Sequence, residues 1–346
     1  MSEPVRINLA LQGGGAHGAF TWGALERLSE DDGVEIAAIS ATSAGALNAA
    51  AFKAGMCKGG RAGARAELAK LWSGIGAVTD PVLSAWIDAA SPTTRALAEL
   101  VEASPAYRAL DAATRVVSPY VLGSILKSPL ARLVERLDFD AVRAPAGPQL
   151  HVCATNVRTG RIRVFQREEL SPGAIMASAC LPMLFQAVEI EDPATGRREA
   201  FWDGGYTGNP ALWPLFPAEL PPDILIVSLN PFVRTEVPKD ALDIANRINE
   251  ISFNASLLGE LRAIAFVRRL VEGGAVERGG MKEVNLHMVR DDDLMDDLNM
   301  ATKTLPVPAI LSRLRGAGRA AMDGFLSQHR GDLGERGTVD LGAMLA

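Results

Sequence analysis

Along the chain, short β-branched apolar runs give way to stretches whose apolar positions recur at helical spacing. Val5 to Leu11 is such a run; it stops at Gln12 and three glycines, and Phe20 to Leu28 then has the spacing of an amphipathic helix. The pattern predicts a strand, a tight turn and a helix. A second unit follows at once, with a buried strand over Val34 to Ser40, a sharp turn over Thr42 to Gly45 and a helix of small residues over Ala46 to Ala54. Two such units in tandem predict a mainly parallel sheet covered by helices.

From Pro81 to Leu137 there is no strand signal, and prolines punctuate Ala- and Leu-rich segments of helical period, so a helical insertion or cap is expected. This stretch is sparsely charged and carries Trp86, Tyr107, Tyr120, Leu122 and Leu126, which suits either a cap over an acyl pocket or an ordinary packed layer. Strand signals return at Leu150 to Thr155, Ile162 to Gln166, Ala187 to Ile190, Ala200 to Trp202 and Asp223 to Leu229. Beyond them, Ala241 to Val271 predicts a long helix, Val284 to Val289 a short strand and Ala309 to Gln328 a closing helix. No repeat or low-complexity linker divides the chain. One elaborated domain is therefore expected, with residues 1–215 as its core and 216–346 adding strands and helices to it.

Composition narrows the class. The 346 residues are 48% hydrophobic and 22% charged, which excludes a disordered or collagen-like chain despite 33 Gly and 20 Pro. The net charge of -6 and a pI near 5.4 leave no overall basic footprint, so nucleic acid is not an expected partner. Cys57, Cys153 and Cys180 are scattered and form no C-x-x-C pair, which fits a reducing cytoplasm. The start MSEPVRINLALQGGG lacks a secretion-signal pattern, and no apolar stretch reaches the roughly 18 residues needed to span a bilayer. A soluble, unprocessed cytoplasmic chain is expected, with peripheral contact at a membrane surface still open to it.

Three short segments carry chemistry. Gly13-Gly14-Gly15-Ala16-His17-Gly18 fits G-x-G-x-x-G between a strand and a helix, the setting of a dinucleotide fingerprint. The acidic residue that would meet a ribose is missing, because the second strand runs into Ser40, Ala41, Thr42 and Ser43. The backbone N–H groups of such a loop stabilise negative charge, whether phosphate or oxyanion. Ala41-Thr42-Ser43-Ala44-Gly45 resembles a nucleophile elbow, in which small neighbours let an exposed serine sit on a strained turn; a plain helix cap at Ser43 is the other reading. Phe201-Trp202-Asp203-Gly204-Gly205 sets one carboxylate at an apolar strand end. There Asp203 either bonds its own turn or serves as general base for Ser43.

Taken together and in this order, the segments resemble the patatin-like phospholipase family, lipid acyl hydrolases that use a Ser-Asp dyad without histidine. The resemblance runs from about Asn8 to Leu215 and includes Ala177-Ser178-Ala179-Cys180-Leu181-Pro182 and the run from Asp203 to Pro210. It implies a three-layer α/β/α fold with a mainly parallel central sheet, a helical insertion and a helical C-terminal extension. It also implies Ser43 as nucleophile, Asp203 as general base and the N–H groups of Gly14, Gly15 and Ala16 as oxyanion hole, with Gly13, Gly18, Ala41, Gly45, Gly204 and Gly205 as motif positions. Desolvation by Phe201 and Trp202 would raise the basicity of Asp203. The chain departs from the family pattern at Ala41, in place of a glycine, and at His17, where many members carry Arg or Lys and a fixed charge becomes a titratable one.

The implied substrate is a lipid or other acyl ester, with no cofactor and no metal. Phospholipid, lysophospholipid, neutral glyceride and thioester all offer the same carbonyl. Other readings remain: a Ser-Asp-His triad completed by His287 or His329, acyl transfer to an acceptor other than water, a nucleotide-binding oxidoreductase using Gly13 to Gly18, and a silent scaffold. His287 lies in an apolar run and His151 opens a strand, both common places for structural histidines. Asp291 to Asp297 lacks the alternating ligands of a calcium loop and reads as a solvated helix start. Arg313, Arg315 and Arg319 of the last helix are surface arginines or contacts for anionic headgroups.

Overall fold

The computed structural model describes residues 3–77, 93–122, 128, 130–277 and 279–345. Its sheet runs in the order β5 (Val188–Asp192), β6 (Arg197–Asp203), β3 (Gln149–Asn156), β2 (Val34–Thr42), β1 (Val5–Leu11), β7 (Asp223–Val227) and β8 (Asn285–Val289), with β4 (Ile162–Gln166) also on β3. The pairs β1 with β2, β1 with β7, β2 with β3 and β7 with β8 are parallel, while β4, β5 and β6 pair antiparallel. The sheet is thus mainly parallel and mixed at one end. Strands β7 and β8 extend it beyond residue 216, so the C-terminal part of the chain completes the same sheet.

Period-two alternation sorts the central strands into two apolar faces. Ile7, Leu9 and Leu11 of β1 and Leu225 and Val227 of β7 enter one core cluster; Ala10 of β1 and Ile224 and Ile226 of β7 enter the other. The first face is covered by α1 (Ala19–Leu28), α2 (Ala44–Gly76) and the closing helix, named α12 below. The insertion supplies α3 (Thr94–Ala103), α4 (Pro105–Val116), α5 (Pro119–Leu122) and α6 (Leu130–Val134), followed by α7 (Phe139–Arg143) before β3 and α8 (Pro172–Ser178) before β5. Leu257, Leu261 and Ile264 of α9 (Ala241–Glu272) cover the second face. The chain ends in α10 (Asp292–Asp296), α11 (Met300–Thr304), α12 (Pro308–His329) and α13 (Leu341–Leu345). This is the three-layer α/β/α arrangement.

Helix α2 is longer than the run of small residues predicts. At Gly59 and Gly60 the backbone leaves helical dihedrals, and the second half turns back to bring Gly63 against Gly55. Apolar residues beyond the break, Ala64, Leu68, Leu71 and Trp72, are buried and hold that half in place. The described residues of the expected insertion form helices α3 to α6 joined by short turns, with Leu97 and Tyr107 buried and Tyr120 exposed. Trp86 and Leu126 fall outside the described residues.

Phe165 of β4 stacks edge-on against Phe201 of β6 at 5.3 Å, and both are fully buried. Deleting the Phe165 ring removes that contact and leaves a cavity in a close-packed layer. Phe165→Ala should cost about 3–5 kcal/mol, read as a lower urea midpoint at unchanged slope. A loss below about 1 kcal/mol would show that the layer collapses to fill the space.

Candidate active site

The site is organised by one edge of β3. Strand β2 pairs with β3 up to Thr42 opposite Cys153, and β6 takes over from Ala154, which faces Asp203. Strand β4 occupies the other edge of β3, over His151 to Thr155. The end of β2 and the end of β6 are therefore neighbours, and Ser43 follows the first as Asp203 closes the second.

Ser43 has φ 54° and ψ -121°, a left-handed conformation that a residue with a side chain rarely adopts. Such a conformation costs of order 1–3 kcal/mol and persists only where its surroundings hold it. Here the Ser43 N–H donates to Ser178 Oγ at 2.8 Å, the Thr42 hydroxyl donates to the Gly208 carbonyl at 2.6 Å, and Leu47 N–H returns to Ser43 O at 3.1 Å in the first turn of α2. Gly45 lets that turn press onto β1, since a Cβ there would lie 2.3 Å from the Leu11 carbonyl. The expected elbow forms even with Ala41 in the sequence, because Ala41 is an ordinary buried β2 residue paired with Leu11 and Val152.

Asp203 is fully buried, its N–H bonded to the Cys180 carbonyl at 2.8 Å and its carbonyl accepting from Thr155 Oγ1 at 2.8 Å. Oδ1 accepts from the Gly205 N–H at 2.8 Å, whereas Oδ2 has no hydrogen bond of regular geometry. Burial pushes the carboxyl up to about 7, tempered first by the Gly205 N–H and then by the nearby Ser43 hydroxyl. Phe201, two residues back on the same face of β6, is part of that apolar surround; Trp202 points to the other face and is half-buried. The same burial, with the Asp203 charge second, raises the Cys180 thiol and the Tyr206 phenol each to about 12, which leaves both neutral.

The glycine loop lies across the elbow. The Gly13 N–H is taken by Asn209 Oδ1 at 2.7 Å, and the first hydrogen bond of the following 3-10 turn is His17 N–H to Gly14 O at 3.2 Å. The N–H groups of Gly14, Gly15 and Ala16 precede that bond and have no acceptor within the turn. Gly15 has φ +58°, and a Cβ there would meet the Lys303 carbonyl at 2.3 Å, so no other residue fits. His17 is not the titratable charge its position suggested. It is 1% exposed, its Nε2 lies 2.8 Å from the Thr302 hydroxyl, and burial followed by Lys303 and Arg234 holds its pKa well below the ordinary value. Thr302 Oγ1 itself donates to the Asn299 carbonyl, so the imidazole is neutral with its proton on Nε2.

Neither triad histidine is directed at Ser43. His287 Nε2 is 2.9 Å from Asp223 Oδ1 at the opposite end of the sheet and its Nδ1 faces Thr338, while His329 pairs with Asp332. His151 is buried on β3, and burial lowers it to about 4. In the acidic run, Asp291 caps α10 through Leu294 N–H, Asp296 meets Arg234 and Asp297 meets Arg95. Arg315 and Arg319 are engaged by Glu26 and Glu30 of the α1 region, so they serve helix packing. Ser178, Thr155 and Asn209 were not read from sequence as site residues. Ser178 and Asn209 do lie in segments that carry the family resemblance, but no local pattern shows which groups they bond.

The sheet thus carries a strained serine after β2, a buried carboxylate at the end of β6 and a glycine loop packed against the serine turn. The patatin-like phospholipase family profile matches residues 9–216. The chain belongs to that family. Among solved structures it is similar to VipD from Legionella pneumophila, at 16% identity over 94% of this chain and 67% of that one, with a TM-score of 0.42. It is also similar to ExoU from the type III secretion system of Pseudomonas aeruginosa, at 17% identity over 93% of this chain and 53% of that one, with a TM-score of 0.32. No curated protein matches the sequence significantly. Among the described residues no helix is long and apolar enough to cross a membrane.

The environment of Asp203 has a consequence for stability. Its carboxyl titrates near 4 when unfolded and at about 7 in the fold, so the folded state keeps a proton that the unfolded chain has released. Stability therefore falls as pH rises between these values. Asp203→Asn, which cannot ionise, should raise the Tm at pH 8 by an amount equivalent to a few kcal/mol, and the gain should vanish by about pH 4. A gain that does not change with pH would show that Asp203 is not held in a desolvated site.

Proposed function

We propose that the protein hydrolyses the carboxylic esters of lipids through an acyl-enzyme on Ser43. The observation that carries this reading is the buried, half-satisfied Asp203 carboxylate beside the Ser43 elbow. Asp203 takes the Ser43 hydroxyl proton as Oγ attacks the ester carbonyl, and the tetrahedral oxyanion is met by the N–H groups of Gly14, Gly15 and Ala16. The proton passes to the leaving alkoxide as the C–O bond breaks. Water, deprotonated by the same carboxylate, then attacks the acyl-enzyme and releases the fatty acid, and Ser43 regains its proton.

The pKa of Asp203 supports the role. A carboxylate of ordinary basicity is a poor acceptor for a hydroxyl proton, and one titrating at about 7 is matched to neutral pH. The oxyanion donors are backbone groups, each worth about 3–4 kcal/mol in comparable sites, so they depend on loop conformation and not on side-chain identity. The neutral His17 supplies no charge to this step. The dinucleotide reading has less support, because β2 ends at Thr42 with no carboxylate in place for a ribose.

Fluorophosphonate treatment followed by intact mass should give a single adduct on the wild type, none on Ser43→Ala and strongly slowed labelling on Asp203→Asn. The rate of p-nitrophenyl ester hydrolysis should rise with pH through about 7, because the deprotonated carboxylate is the active form. A wild type that neither labels nor cleaves any ester, or an acid limb that stays near pH 4, would overturn the assignment.

A further inference from the structure

The glycine loop is held from behind by residues far away in sequence. The Asn230 amide nitrogen donates to the Gly13 carbonyl at 2.9 Å, and Asn230 Oδ1 accepts from Lys303 Nζ at 3.3 Å. Lys303 thereby fixes which way the Asn230 amide points, and with it the donor that meets Gly13. The Lys303 carbonyl also closes on Gly15 from the other side. Gln12 Oε1, just before the loop, accepts from Ser228 Oγ, Leu229 N–H, Asn230 N–H and Asn230 Nδ2 at 2.8–3.3 Å, and Gln12 Nε2 donates to Asn254 Oδ1.

We infer that Asn230 and Lys303 are positioning residues for the oxyanion hole, setting the Gly13–Ala16 backbone through the chain Lys303 Nζ to Asn230 Oδ1 and Asn230 Nδ2 to Gly13 O. The inference rests on the reading of Gly14, Gly15 and Ala16 as oxyanion donors. It assigns a task to a cluster that the hydrolysis mechanism leaves unused. Glu250, fully buried on α9, lies 3.8 Å from Lys303 Nζ and receives Arg234 at 2.6 Å and Arg247 at 3.2 Å. The cluster gathers Lys303, Arg234 and Arg247 about that buried carboxylate, and Asp296 and Asp243 balance Arg234 from the far side.

Titration follows from the same surroundings. Burial first, and the repulsion of Arg234 and Arg247 against the attraction of Glu250, bring Lys303 down to about 8. His17 on the loop side is neutral and adds no charge. The Lys303 ammonium is therefore present at neutral pH and is lost as pH rises past that value, which weakens the hold on the Asn230 amide.

The experiment compares wild type with Asn230→Asp, Lys303→Met and Lys303→Arg, using a p-nitrophenyl ester and normalising rates to fluorophosphonate-labelled Ser43. Asn230→Asp removes the donor to Gly13 and Lys303→Met removes the ammonium. Each should lower kcat per labelled site by roughly ten- to a hundredfold with KM within about twofold, because a misplaced donor is missed in the transition state and not in the bound ester. Lys303→Arg should recover most of the loss. Wild type should lose kcat above pH 8, and Lys303→Met should show no such limb. Wild-type kcat per labelled site in the first two variants, or a loss that follows only the folded fraction and Tm, overturns the inference while leaving the hydrolase intact. An unlabelled wild-type Ser43 overturns the hydrolase reading and the inference with it.

Discussion

The site depends on a change of partner along one edge of β3. Strand β2 leaves that edge after Cys153 and β6 joins it at Ala154. Two strand ends thus meet at a fixed separation set by the backbone ladder. A serine after the first and an aspartate at the end of the second are brought together by hydrogen bonds that neither side chain makes. Strained or desolvated side chains are held in place only when their backbones are over-determined in this way.

Ser43 and Asp203 are each unfavourable for the fold taken alone. One sits in a left-handed conformation and the other is a carboxylate withdrawn from water. Both are carried by a core of small residues around the turn, where Ala44, Ala46 and Gly45 let α2 begin directly against β1. The neighbouring groups fit this economy of charge. Cys180, Tyr206 and His17 are all kept neutral by burial, so Asp203 is the ionisable group of the site that titrates near neutral pH. Lys303 is the nearest change of charge above it, and it lies on the far side of the glycine loop.

The strand-turn-helix units, the mainly parallel sheet, the elbow and the aspartate turn were legible in the chain because each is written in contiguous residues with a local physical cause. Apolar period, a cluster of glycines and small neighbours of a serine need no distant information. What was not legible is long-range. Ser178 meets Ser43 across 135 positions, Asn209 meets Gly13 across 196, and Lys303 meets Asn230 across 73. Polar side chains of this kind look like ordinary turn or helix residues until the fold closes. The state of His17 is hidden in the chain for the same reason. Its sequence position suggests a titratable charge, and only the burial produced by α11 and the Lys303 cluster makes it a neutral donor to Thr302.

The family profile ends at residue 216, yet part of the support for the loop comes from beyond it. Asn230 follows β7, Glu250 and Asn254 lie on α9, and Thr302 and Lys303 lie on α11, all in the part of the chain that completes the sheet with β7 and β8. The elbow, the aspartate and Asn209, which takes the Gly13 N–H, belong to the matched segment, while Asn230 meets the Gly13 carbonyl and Lys303 meets Gly15 from outside it. The first segment thus contains both the groups that would change covalently and the glycine backbone beside them, and the second braces that backbone from behind. A chain in this family can therefore keep every residue of its three motifs and still differ in rate, according to what its C-terminal strands and helices place behind the glycines.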